Sequence, residues 1–121
     1  MDVEEIREYC LQKKGVSEGF PFDDTTLVFK VMGKMFALLD LTGKHDLGLK
    51  CEPERALELR EHYNSIVPGY HLNKKYWNNV LLNGDVDERM IMELIDHSYD
   101  LIVGSLTTKL REELEKMKIK D

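Results

Sequence analysis

The sequence predicts an α+β fold, an antiparallel sheet of about five strands with helices packed mainly on one face, in the order α-β-β-β-α-β-β-α. Three observations carry that reading. Apolar residues recur at helical spacing near the start, in the middle and over the last third of the chain. The stretches between alternate apolar and polar groups with period two. Short turn sequences such as Met32-Gly33 and Asn83-Gly84 bound those stretches, which suits antiparallel neighbours.

Residues 2–14 place Val3, Ile6 and Cys10 on one stripe and Glu4, Glu5 and Glu8 on the other, with Gly15 as the helix stop. Residues 19–24 read as an irregular connection held by two apolar anchors, Phe20 and Phe22. From Thr25 onward, Leu27, Phe29 and Val31 alternate with Val28, Lys30 and Met32; Met35 to Leu41 then returns as the partner of a β-hairpin. After the turn at residues 43–46, Leu47 to Cys51 forms a third strand. Pro53 suits the first turn of a helix whose inner stripe is Ala56, Leu59, Arg60 and Tyr63. Residues 66–72 are extended, Asn73-Lys74-Lys75 turns the chain, and residues 76–82 form the last strand. Asp85 with Glu88 resembles a capping box opening the longest helix. Its inner face carries Ile91, Leu94, Ile95, Ser98, Leu101, Ile102 and Ser105. The helix continues or restarts after Gly104, and residues 116–121 are expected to fray.

A length of 121 residues predicts one domain, residues 1–121. The net charge of −6 and the 42% apolar content fit a soluble globular chain. No apolar run approaches the roughly 20 residues of a membrane span. The acidic start Met1-Asp2-Val3-Glu4-Glu5 has no signal-peptide pattern, and two cysteines, Cys10 and Cys51, make no disulfide scaffold. A reduced, cytoplasmic protein is expected, either a monomer or a homodimer, with no membrane partner.

The acidic excess lies in the helical segments. Residues 25–51 carry Lys30, Lys34, Lys44 and Lys50 against Asp40 and Asp46, and residues 63–85 carry Lys74 and Lys75 against Asp85. With the helices on one face, the open sheet face and the hairpin turns become the basic side, suited to phosphates. Lysines on strands also guard sheet edges against pairing. The stretch from Pro68 to Trp77 interleaves Tyr70, His71, Asn73, Lys74, Lys75, Tyr76 and Trp77, a mix fit for phosphate and base contacts or for an anionic small molecule. Strand alternation would set Tyr70 and Leu72 opposite His71 and Asn73; in a turn, Asn73 would bond locally with Trp77 packed beneath.

His97-Ser98-Tyr99-Asp100 has the residue types of a hydrolase triad, but helical rotation sends Asp100 to solvent and Ser98 to the sheet. Ser98 is expected to bond a carbonyl one turn earlier, and Tyr99 a strand. Glu58 and His62 are a four-apart pair with no third metal ligand in register. Cys51 sits before a helix start, where the dipole lowers a thiol pKa. No nucleophile–base pair or phosphate-cradling glycine loop is present, so no enzyme, cofactor or metal is predicted.

Several ordered motifs resemble the MmcQ/YjbR family across nearly the whole chain: Phe36-Ala37-Leu38-Leu39, Leu49-Lys50-Cys51-Glu52-Pro53-Glu54, Pro68-Gly69-Tyr70-His71-Leu72-Asn73-Lys74 with Trp77, and His97-Ser98-Tyr99-Asp100-Leu101-Ile102. The resemblance implies a CyaY-like, double-wing α+β fold with hairpins as wings, and a DNA-binding role suggested by that shape. It carries over no catalytic residue. Its likeness to frataxin-type folds implies, as a rival, weak metal binding on the acidic first helix through Glu4, Glu5 and Glu8. The leading expectation is weak, salt-sensitive DNA binding through Lys30, Lys34, Lys44, Tyr70, His71, Asn73, Lys74, Lys75 and Trp77. The alternative is an anionic metabolite held by the same motif, with Tyr76.

Overall fold

The computed structural model describes residues 1–118. The elements are α1 (Val3–Leu11), β1 (Val16–Gly19), β2 (Thr26–Val31), β3 (Lys34–Asp40), β4 (Asp46–Lys50), α2 (Pro53–His62), β5 (Ile66–Pro68), β6 (Trp77–Leu81), α3 (Glu88–Ser105) and α4 (Thr108–Lys116). Six strands form one antiparallel sheet in the order β1-β2-β3-β4-β6-β5. The α+β class therefore holds, with one strand more than expected. Val16–Gly19 buries only its first residue fully, so four residues give no readable period; pairing with β2 makes them a strand.

Leu27, Phe29 and Val31 meet Ile6, Ile91, Ile95 and Ile102 in one core between the sheet and the helices. The opposite sheet face exposes Leu38, Gly48 and Asn79 to a cleft. The β2–β3 hairpin closes through Met32 and Gly33, both at positive φ (50° and 84°), the backbone that a two-residue turn of matching twist requires.

A bulge sits in β3. Phe29 opposes Ala37 while Lys30 opposes Met35, so Phe36 is the extra residue and joins Ala37 in the core. The β3–β4 ladder stops at Ala37 and Leu49, and Ser98 fills the gap. Its buried hydroxyl donates to the Phe36 carbonyl (2.6 Å) and accepts the Lys50 N–H (2.9 Å). Ser98 thus stitches two strands instead of bonding within its own helix, because the bulge frees backbone groups that burial forces to find partners.

Four other expectations change. Phe20 and Phe22 are 49% and 65% exposed and anchor nothing in the core. The cap of α3 is Asp87, whose carboxylate accepts the Met90 N–H; Asp85 is engaged by the Asn64 and Ser65 amides. The turn predicted at residues 73–75 is present but takes in residues 69–72 and Tyr76 as well, so β5 and β6 are shorter than predicted. After Gly104 the chain takes the restart, one of the two expected courses, with Thr107 as the new cap; what changes is Lys116, expected in the frayed tail, which closes α4, while residues 119–121 of that tail lie outside the described residues.

Ser98→Ala leaves two buried backbone groups without their partner. It should cost about 1–3 kcal/mol in urea unfolding, whereas Ser105→Ala, at the exposed end of the same helix, should stay within about 0.5 kcal/mol.

Candidate functional site

The segment between β5 and β6 is shaped by its own turn chemistry. Asn73 Oδ1 accepts the Lys75 N–H (3.0 Å), and the Asn73 carbonyl accepts the Tyr76 and Trp77 amides (3.1 and 3.0 Å). The Arg60 guanidinium holds the segment from α2: Nε donates to Asn78 Oδ1 (2.6 Å), and Nη2 donates to the carbonyls of Lys74 and Trp77. Asn78 in turn donates to the Ala56 carbonyl (3.3 Å). Trp77 is buried beneath the segment, outside the main core, with Gly69 packed on it so closely that a Cβ there would lie 3.0 Å from Trp77 Cβ.

This anchoring presents a cluster of cations and rings. Lys74 Nζ lies 5.1 Å from the Tyr70 ring centroid, while Lys75 and Lys50 lie 5.5 and 5.8 Å from that of Tyr76. Tyr70 is 61% exposed. Among the described residues, none of the three lysines is in an ion pair with a carboxylate.

The other predicted lysines lie elsewhere. Lys34 donates to the Ser105 carbonyl at the end of α3, on the helical side (3.4 Å). Lys30 borders a crevice with Glu18. Lys44 and His71 line a separate cleft beside Asp40 and Asp46. The nine predicted residues therefore do not form one patch: Lys74 stands over Tyr70, and Lys75, with Lys50, stands over Tyr76 on the same connection, while Asn73 and Trp77 support it. Strand alternation misplaces Tyr70 and Leu72, because a turn replaces the strand.

Two contributors were missed as site residues although the sequence carried a signal for each. Arg60 falls on a buried helix stripe, where a guanidinium must find acceptors. Lys50 is two residues from Gly48 and shares its outward strand face.

The His97-Ser98-Tyr99-Asp100 motif is a clasp rather than a catalytic constellation. His97 Nε2 accepts the Glu52 N–H (3.2 Å), and Tyr99 Oη donates to the Lys14 carbonyl (2.7 Å) in the α1–β1 turn, not to a strand. Asp100 is exposed, as rotation requires. Burial is the main cause lowering the His97 pKa below its ordinary 6.5, aided by Arg55. Burial also raises the Cys51 pKa, outweighing the helix start, and pushes Cys10 up to about 12. On α1, Glu5 is engaged by the Asp2 N–H of a capping box. Among the described residues, no three His, Cys, Asp or Glu side chains converge as a metal site, and no helix is long and apolar enough to cross a membrane.

A one-sided α+β sheet whose longest helix, α3, clasps three backbone segments defines the class of small domain to which this chain corresponds. The chain belongs to the YjbR family: the family's sequence model matches residues 11–101. It is 35% identical to YbdF of Escherichia coli O157:H7 over 107 residues, covering 88% of each chain. To YjbR of Escherichia coli K12 it is 31% identical over 113 residues, covering 93% of this chain and 96% of that one. The crystal structure of Deinococcus radiodurans protein DR2400, with a DUF419 domain, superposes with a TM-score of 0.86 at 45% identity, over 93% of this chain and 87% of that chain.

Two outcomes test this construction. Arg60→Ala should speed hydrogen exchange of the Tyr76 and Trp77 amides about tenfold, with the core amides unchanged. For His97, the neutral imidazole is the bonded form and its folded pKa lies below its unfolded one. Its contribution to stability is therefore complete above about pH 6.5 and is lost as pH falls through the folded pKa. The melting temperature should drop between about pH 7 and pH 5, and drop less in His97→Gln.

Proposed function

We propose that the protein is a non-enzymatic DNA-binding module that engages single strands through Lys50, Lys74, Lys75, Tyr70 and Tyr76. The observation that carries this reading is the set of three ammonium groups around two tyrosine rings, none paired with a carboxylate among the described residues. Lysines neutralise phosphates by releasing counterions, and tyrosine rings stack on unpaired bases of any sequence. In this reading the β5–β6 connection serves as one wing of a double-wing surface, and two buried, unpaired cysteines suit a reducing cytoplasm. A net charge of −6 keeps affinity modest and confines binding to the local cationic patch.

Fluorescence anisotropy of a labelled single-stranded oligonucleotide tests the reading. Three phosphate contacts predict a loss of affinity of about 20-fold between 50 and 200 mM salt. Lys50→Ala/Lys74→Ala/Lys75→Ala should abolish both binding and its salt dependence, while Lys34→Ala leaves them intact. No binding at low salt, or a triple variant that binds like wild type, would reject it.

A further inference from the structure

The open sheet face holds a second feature that the lysine–tyrosine cluster does not use. A cleft of about 600 Å³ lies over β3, β4 and β6, floored by Leu38, Gly48 and Leu72. That volume falls in the range of small-molecule sites. Gly48 stands in mid-strand without a positive φ, so backbone geometry does not demand glycine. A Cβ there would project over the floor, 3.2 Å from Asn79 Oδ1 and 3.6 Å from Leu38 Cβ. Glycine inside a strand forfeits stability, and one common reason is the close approach of another group to the backbone. The side chains of Asn79 and His71 border the cleft and, among the described residues, make no hydrogen bond within the protein.

The charge of the cleft selects its occupant. Asp23, Asp40 and Asp46 line it against a single lysine, Lys44. Asp23 is engaged by the backbone amides and hydroxyls of Thr25 and Thr26, which hold its pKa low and keep it ionised. Asp40 accepts the Thr42 N–H (2.8 Å). Asp46 is half-buried; burial first, and then the neighbouring Asp40, raise its pKa. Two carboxyls crowded at one end of an apolar floor repel an anion and are relieved by a cation. An anionic metabolite, one expectation for the His71 segment, meets the wrong sign here.

We propose that this cleft binds a small organic cation, an ammonium or amidinium group carried on a planar apolar body. The cationic head lies between Asp40 and Asp46, and the body lies on Leu38, Gly48 and Leu72. Asn79 and His71 supply hydrogen bonds at the rim. The site is independent of DNA binding, since Lys50, Lys74 and Lys75 do not line it.

Benzamidine is a suitable probe, with benzyl alcohol and benzoate keeping the ring and changing only the head group. In an NMR titration of the whole protein, benzamidine should produce saturable shifts at the Gly48 amide, the Asn79 side chain and His71. Benzyl alcohol and benzoate should bind at least tenfold more weakly. Asp46→Asn, a near-isosteric change, should weaken benzamidine at least tenfold. Lys44→Ala, which removes the opposing charge at an exposed position, should tighten it severalfold. The proposal is overturned by benzamidine shifts that fail to saturate at the cleft, or by equal binding of benzyl alcohol. Unchanged or weakened binding in Lys44→Ala overturns it as well, and that variant decides the matter should Asp46→Asn fail to fold.

Discussion

The hydroxyl of Ser98 holds together the two halves of the sheet at the point where backbone pairing fails. Phe36 bulges out of β3 and takes its place in the core with Ala37, which leaves the Phe36 carbonyl and the Lys50 N–H without the ladder between them. One side chain from α3 supplies both missing partners. A larger residue would push helix and sheet apart, and one without a polar hydrogen would strand a buried carbonyl. The flanking residues extend the same principle: His97 fixes the start of α2 and Tyr99 fixes the turn after α1. A helix that packs by apolar contacts alone can slide; four directional bonds from three side chains give α3 one register.

That fixed register has a functional consequence on the far side of the sheet. Lys50 lies at the seam that Ser98 closes, and its amide is held from the helical side while its ammonium reaches the Tyr76 ring. Arg60 steadies the same region from α2 through the carbonyls of Lys74 and Trp77. The helical layer thereby sets the position of cations on the opposite face. The open face is not uniformly basic: along β4, Asp46, Gly48 and Lys50 succeed one another outward, so one strand carries the acidic cleft at one end and the cationic cluster at the other.

Period-two and helical patterns made the element types readable, because each reports burial on one side of a local structure. Leu27, Phe29 and Val31 face the core as their spacing predicts, and Ser98 faces the sheet. Val16–Gly19 stayed unread because its pairing with β2 is a non-local fact. The turn at Asn73-Lys74-Lys75 is legible because Asn73 carries its own side-chain acceptor, whereas residues 69–72 mislead because alternating residue types there resemble a strand. Phe20 and Phe22 show that large apolar residues in a connection need not reach the core.

The sequence by itself determined the class, the sequence of most elements and the face each strand buries, since these depend on chain-local periodicity and on the cost of hydrating apolar groups. Tertiary structure decided which cations share a surface. Lys34 and Lys74 are equivalent in composition, yet one closes the end of α3 and the other stands over Tyr70. Charge interacts through space and weakens with distance and solvent, so the strand order and the turn geometry, rather than the charge count, fix where the protein meets another molecule.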